Sequence, residues 1–146
     1  MAKKYFNVNI ASTDSLRMIC TARDFSYCID EPQVLGGTDL GMTPVEALLT
    51  AIGACQCIVA KFFAAQKGID LKDIKINMVG ELDADRFLGE NDKAELGFST
   101  IVSKFHIKTN NSESEIREFI DFVVNNSPVN DSIKPSIKTL TEIYFL

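Results

Sequence analysis

Two of the four cysteines in this chain, Cys55 and Cys57, lie in the middle of a long apolar segment. A cysteine thiolate can act as a nucleophile, a metal ligand or a redox group, so this pair is the first candidate for chemistry. Helical residues advance by about 100° each, which turns the two side chains roughly 200° apart and prevents a disulfide between them within an intact helix. Cysteine is also among the most buried residue types, so packing alone explains either thiol.

A metal or nucleotide site has little support in the sequence. Zinc needs three or four ligands, and the single histidine, His106, has no second ligand at a suitable spacing. His106 shares one face of its predicted strand with Lys104 and Lys108. A face with two lysines is typically exposed to solvent, so His106 is expected to be an exposed strand residue and not a catalytic base. The glycines at positions 36, 37 and 41 match no phosphate-binding loop. We therefore expect no metal and no cofactor.

The composition predicts one globular domain over residues 1–146. The chain is 46% hydrophobic and 24% charged, which suffices to bury a single core, and it has no low-complexity tract. The net charge is −5, and the lysines and arginines are scattered. Because binding to phosphates needs clustered cations, this pattern argues against a nucleic-acid partner.

The N-terminal and apolar segments predict a cytoplasmic location. Residues from Met1 to Tyr5 lead directly into alternating apolar and polar residues, without an apolar run of signal-peptide length. The longest nearly uncharged stretch, from Ala47 to Ala60, has 14 residues. A membrane-spanning helix needs roughly 20. We therefore expect free thiols, a buried helix and no membrane contact.

Three strands and a long loop precede the segment that carries the cysteine pair. Three runs with a period of two residues predict an antiparallel meander. Their alternating apolar residues are Phe6, Val8 and Ile10, then Leu16, Met18 and Cys20, then Phe25, Tyr27 and Ile29. The stretch from Asp30 to Met42 holds one proline and three glycines, which predicts an irregular connection. Long loops of this kind are often functional.

A long helix then carries both cysteines. Thr43 offers an N-cap hydroxyl, Pro44 suits the first helical position, and Glu46 complements the helix dipole, while Gly68 marks the expected C-terminal stop. Its apolar residues leave only a narrow polar stripe; they are Val45, Leu48, Leu49, Ile52, Ile58, Val59, Phe62 and Phe63. A helix that is apolar on nearly all sides must be surrounded, either by its own sheet and another helix or by a second subunit, and we interpret it as the core helix of a dimer.

The rest of the chain predicts two strands, a second helix and a final strand. Period-2 alternation covers residues 74–82 and 96–108, with a bulge expected near Ser99 and a charged surface loop between the two strands. Ser112 and Glu115 form a capping box that opens an amphipathic helix ending near Asn125. Residues 137–145 form the last strand. The order is βββ-α-ββ-α-β, an α+β fold.

The stretch from Leu35 to Leu49, continued by Ile52-Gly53-Ala54-Cys55, closely resembles the OsmC-like family, which includes OsmC and organic hydroperoxide resistance proteins. The likeness covers essentially the whole chain, including Ser127-Pro128-Val129, where many members carry Cys-Pro-Val. The resemblance implies an intertwined homodimer with the long helices in its centre and the sheets outside. This arrangement agrees with a helix that is apolar on nearly all sides.

The resemblance also implies a chemistry for some residues. In peroxidatic members, a thiolate on the first long helix attacks a hydroperoxide and becomes a sulfenic acid, which a second cysteine resolves before dithiols reduce the disulfide. Cys55 matches the attacking cysteine. Ser127 falls at the resolving position and cannot form a disulfide.

Other residues of this chain depart from the family pattern. The glutamate of the peroxidase motif falls at Val45. The neighbouring Glu46 lies roughly 180° from Cys55 around the helix and fits the dipole better. No motif places the activating arginine on Arg17, expected within a strand, or on Arg23, expected in a turn.

Two functions stay open from the sequence. In the first, Cys55 is a peroxidatic thiol toward small organic hydroperoxides, and Cys57 or an external small thiol resolves its sulfenic acid. In the second, the dimer is a scaffold or binds a small apolar molecule at its seam, because Val45 and Ser127 replace the expected groups. Cys20 is expected to pack in the core, and Cys28 has no assigned role.

Overall fold

The computed structural model describes residues 3–146. Met1 and Ala2, which are part of the N-terminal segment used above to predict a cytoplasmic location, lie outside the described residues. The chain divides into two compact units, one ending at Leu48 and the other beginning at Leu49. Helix α1, Pro44–Phe63, begins in the first unit and continues into the second. The single domain over 1–146 stays a prediction.

The first unit contains an antiparallel sheet in the order β1–β2–β3, formed by Asn9–Ser12, Met18–Ala22 and Phe25–Ile29. The expected start of the first strand at Phe6 is wrong. Pairing between β1 and β2 begins with Asn9 opposite Thr21. It begins only there because β2 ends at Ala22, one residue after Thr21, and the chain then turns at Arg23, which has a φ of 56°. Cys20 is 5% exposed, which confirms its predicted packing role.

The start of α1 follows the prediction and its end does not. The Thr43 hydroxyl accepts a hydrogen bond from the Glu46 N–H at 3.3 Å, and the Glu46 carboxylate accepts one from the Thr43 N–H at 2.7 Å. The α-helix ends at Phe63 because the chain tightens into a 3₁₀ turn, Ala65–Lys67. Gly68, in the left-handed conformation with a φ of 71°, then ends this turn.

The length argument against a membrane-spanning helix is wrong. Helix α1 has 20 residues and a mean hydropathy of 1.6, so it is long and apolar enough to cross a membrane by length and composition alone. Core helices of soluble proteins meet the same criterion. One face of α1 is buried within the chain, through Ile52, Gly53, Gln56, Val59 and Ala60. The absence of membrane contact stays a prediction.

The second unit is built on a mixed sheet in the order β4–β5–β6, formed by Leu71–Leu82, Phe98–Thr109 and Lys138–Phe145. Strand β4 runs antiparallel and β6 parallel to β5. One face of β5 is buried through Ile101, Ser103, Phe105 and Ile107, all 5% exposed or less. A register shift where Leu82 meets Phe98 confirms the bulge near Ser99.

The helices of the second unit complete the fold. Helix α3, Glu113–Asn125, begins with the predicted capping box of Ser112 and Glu115. The four-residue helix α2, Asp85–Leu88, lies in the predicted surface loop and was not expected, and a second four-residue helix, α4, Pro128–Asp131, follows α3. The six strands and the two long helices occur in the predicted order, which confirms the α+β class.

Candidate functional site

The cysteine pair lies on one uninterrupted helix, α1. Cys55 and Cys57 are both half-buried and both free. Cys55 packs against the larger core cluster of the second unit, which includes Val59, Ala60 and Phe105. Because the helix is intact across both positions, the structure keeps the two thiols on different sides of it.

The two cysteines of this pair differ in their surroundings. Burial raises the pKa of the Cys57 thiol above its ordinary value, and the positive charge of Lys61, one turn later, opposes part of that rise. A thiol with a raised pKa stays protonated at neutral pH, and the protonated form is a poor nucleophile. Cys57 is therefore the weaker candidate for attack on a peroxide or on a sulfenic acid.

Gln56, between these cysteines, is a residue that the sequence analysis missed. Its side chain is 1% exposed, and its Oε1 has no hydrogen-bond partner within residues 3–146. On α1 it lies between Ile52 of the smaller core cluster and Val59 of the larger one. The helical period alone would have placed it on the buried face. An unpaired buried carbonyl lowers the stability of the fold.

Ser127 lies where the resemblance places a resolving cysteine. It is 1% exposed and is the N-cap residue of α4, where its hydroxyl accepts a hydrogen bond from the Asn130 N–H at 3.5 Å. The side chain therefore has a local structural role. It has no sulfur with which to resolve Cys55.

Glu46 is held by the capping box at the start of α1. The backbone N–H and the hydroxyl of Thr43 both donate to its carboxylate and lower the pKa of Glu46. This arrangement fits its predicted role at the helix N-terminus. Val45, where the resemblance places a glutamate, is 42% exposed.

The arginines of the first unit differ in their partners. Arg17 was expected within a strand, but it immediately precedes β2 because its carbonyl accepts bonds from the N–H and hydroxyl of Thr13, which close a turn. The Nε of Arg17 is buried and has no partner within the described residues. Arg23 lies in the predicted turn, with its guanidinium 4.9 Å from the centre of the Phe25 ring.

His106 lies on the outer face of the second unit's sheet. It is half-buried and stacks on Tyr144 of β6, with ring centroids 4.9 Å apart and planes 13° apart. Within residues 3–146, no three His, Cys, Asp or Glu side chains are grouped so that they could hold a metal ion. The expected lack of a cofactor stays a prediction.

Asp30, which the sequence analysis named only as the start of the long loop, is the one fully buried carboxylate of the described chain. Its oxygens accept bonds from the Glu31 N–H at 2.8 Å, the Thr38 N–H at 3.2 Å, the Leu40 N–H at 3.1 Å and the Thr38 hydroxyl. The Thr38 hydroxyl, helped by these backbone N–H groups and opposed by burial, lowers the pKa of Asp30 to about 2. An Asp that begins a loop with three glycines was the available sequence signal.

Comparison with known proteins connects this geometry to one family. A family model described as OsmC-like protein matches residues 37–142. The chain is 30% identical over 135 residues to a Mycoplasma pneumoniae protein named hydroperoxide reductase, covering 92% of this chain and 89% of that protein. Its fold is similar to the crystal structure of an OsmC like protein from Mycoplasma pneumoniae, with a TM-score of 0.86 and 24% identity over 99% of both chains. It is also similar to the organic hydroperoxide resistance protein OhrB of Bacillus subtilis, with a TM-score of 0.65 and 17% identity over 96% of this chain and 98% of that one.

Proposed function

Since the chain belongs to the OsmC-like protein family, we propose that it is a thiol-dependent reductase of small organic hydroperoxides, with Cys55 as the attacking residue. The observation that carries this proposal is the position of Cys55: a free, half-buried thiol on the long helix that follows the family motif. Its 30% identical relative is named a hydroperoxide reductase, which supports the same reaction.

The proposed reaction begins with the Cys55 thiolate. Its sulfur attacks the terminal oxygen of the hydroperoxide, the O–O bond breaks, and the departing alkoxide takes a proton to become an alcohol. The sulfur is oxidised to a sulfenic acid, and the peroxide is reduced by the same two electrons.

An external thiol completes the proposed cycle. Ser127 has no sulfur, and Cys57 lies on the other side of α1 with a raised pKa. A small thiol therefore attacks the sulfenic sulfur, releases water and leaves a mixed disulfide, which a second thiol reduces to regenerate Cys55 and a small-molecule disulfide.

The proposed assembly is a homodimer in the cytoplasm. Ile58 and Phe62, on the free side of α1, are each 67% exposed in the single chain, so a second copy has apolar surface to cover. All four cysteines are free, which fits a reducing compartment. Light scattering of the native chain and of Ile58→Lys tests the dimer, which this charge should weaken.

Single-turnover consumption of cumene hydroperoxide by the reduced chain tests the proposed function. Cys55→Ser should abolish consumption, whereas the matched variant Cys57→Ser should retain the first turnover. Unchanged consumption by Cys55→Ser would overturn the assignment.

A second function, binding of a small apolar molecule at the dimer seam, is favoured by the same exposed residues of α1 and by Val45 and Ser127 at two family positions. It predicts that an apolar ligand copurifies with the chain or protects it from heat, and that Cys55→Ser keeps this ligand. A chain that reduces peroxide and binds no apolar ligand would exclude it.

A further inference from the structure

The family motif before α1 forms a closed loop around a single carboxylate. We call residues 31–42 the Asp30 loop. Asp30 accepts bonds from the beginning of the loop, at Glu31, and from its second half, at Thr38 and Leu40. Its own N–H donates to the carbonyl of Met42 at 3.1 Å. One residue therefore holds the beginning, the middle and the end of the loop.

The glycines of the motif make this closure possible. A Cβ atom on Gly37 would lie 1.8 Å from the Glu31 carbonyl oxygen, so the chain approaches itself there more closely than any side chain permits. A Cβ atom on Gly41 would lie 2.6 Å from the Cys28 carbonyl oxygen. The Cys28 thiol also donates to the Leu40 carbonyl at 3.0 Å, which places Cys28 against the end of the loop.

The end of the Asp30 loop leads directly into α1. Met42 forms a parallel bridge with Ile29, the last residue of β3. The next residue, Thr43, belongs to the capping box with Glu46, and α1 begins at Pro44. Cys55 follows on the same continuous helix, 11 residues after Pro44.

We propose that Asp30 is a positioning residue of the hydroperoxide reaction: by holding the Asp30 loop closed, its carboxylate fixes the first turn of the helix that carries Cys55. The inference rests on the proposed function for its effect on turnover. Its effect on the loop does not depend on that function. Asp30 touches no reacting atom and acts through the loop and the backbone of α1.

The test compares Asp30→Asn with Asp39→Asn in the otherwise unchanged chain. Both variants remove one negative charge, but Asp39 is exposed, and its positive φ of 56° is one that Asn tolerates. Asn at position 30 keeps one acceptor oxygen. Its NH₂ group is itself a donor, so it cannot accept the hydrogen bonds that the loop N–H groups and the Thr38 hydroxyl donate to Asp30. Thr38→Val removes only the hydroxyl donor, and Thr38→Ser restores it, so this milder pair answers the question if Asp30→Asn does not fold.

Two measurements are made on each variant. The first is the alkylation rate of Cys28 in the reduced protein, located by peptide mass, which reports whether the loop opens. We expect it to rise at least about tenfold in Asp30→Asn. The second is hydroperoxide turnover, for which we expect kcat to fall about tenfold while KM changes less than about twofold. Thr38→Val should move both values in the same directions, and Thr38→Ser and Asp39→Asn should match the native chain.

The outcomes are distinguishable. Native-like alkylation of Cys28 in Asp30→Asn and Thr38→Val would show that Asp30 does not hold the loop. Faster alkylation with unchanged kcat would refute the positioning role. A native chain without any turnover would overturn the proposed function and the effect on the reaction, and the alkylation rates would still decide whether Asp30 closes the loop.

Discussion

Cys55 and Cys57 lie two residues apart on α1 and point roughly 200° apart around its axis, so neither thiol reaches the other while the helix is intact. A Cys-x-Cys sequence often suggests a redox pair. Here the helix separates the two thiols, and burial further raises the pKa of one of them. The chain therefore has one candidate nucleophile on this helix and no partner thiol beside it.

The separation of these cysteines predicts the oxidised products. After treatment with hydroperoxide in the presence of a small thiol, Cys55 should carry that thiol as a mixed disulfide. Peptide mapping without reductant measures this. The matched variant Cys57→Ser should give the same adduct in the same yield. A disulfide joining Cys55 to Cys57, within one chain or between two, would contradict external resolution.

The unpaired Oε1 of Gln56 predicts a stabilising substitution. Gln56→Met keeps the length of the side chain and removes a buried carbonyl without a hydrogen-bond partner. We expect the free energy of unfolding to rise by about 1 kcal/mol. Urea unfolding measures the change, and Gln66→Met, at an exposed position, is the matched control. A loss of stability in Gln56→Met alone would show that the carbonyl has a partner in solution.

The lowered pKa of Asp30 predicts that the stability of the folded chain falls in acid. Its folded-state pKa, about 2, lies below the ordinary value of 3.8, so the ionised carboxylate favours the folded chain. Its contribution is complete above the ordinary pKa and is lost as the pH falls through the range from 3.8 toward 2. The difference in unfolding midpoint between the native chain and Asp30→Asn should be constant near neutral pH and shrink in that acidic range. A difference that does not depend on pH would contradict ionisation as its cause.

Much of the fold was predictable because local patterns and tertiary packing agree. The alternation of Ile101, Ser103, Phe105 and Ile107 predicts the buried face of β5, and the same four residues are buried. The first strand shows where such agreement ends: the alternation begins at Phe6, but pairing depends on the length of β2, which a period-2 pattern does not reveal.

The candidate site was only partly predictable for a similar reason. Cys55 and Ser127 could be named as candidates because a motif marks their positions in the chain. Asp30 and Gln56 were missed, since Asp30 depends on hydrogen bonds that form only when its loop is folded, and Gln56 is notable for burial without a partner for its Oε1. The partners of a buried polar group are set by tertiary structure, which one sequence does not display.

The most direct test of the central claim uses reduced native protein and less than one equivalent of cumene hydroperoxide or, separately, hydrogen peroxide. Intact mass and peptide mapping then locate the added oxygen. The proposed function predicts rapid addition of a single oxygen at Cys55, faster with the organic peroxide, while Cys20, Cys28 and Cys57 stay reduced. Slow oxidation spread over all four cysteines would contradict it.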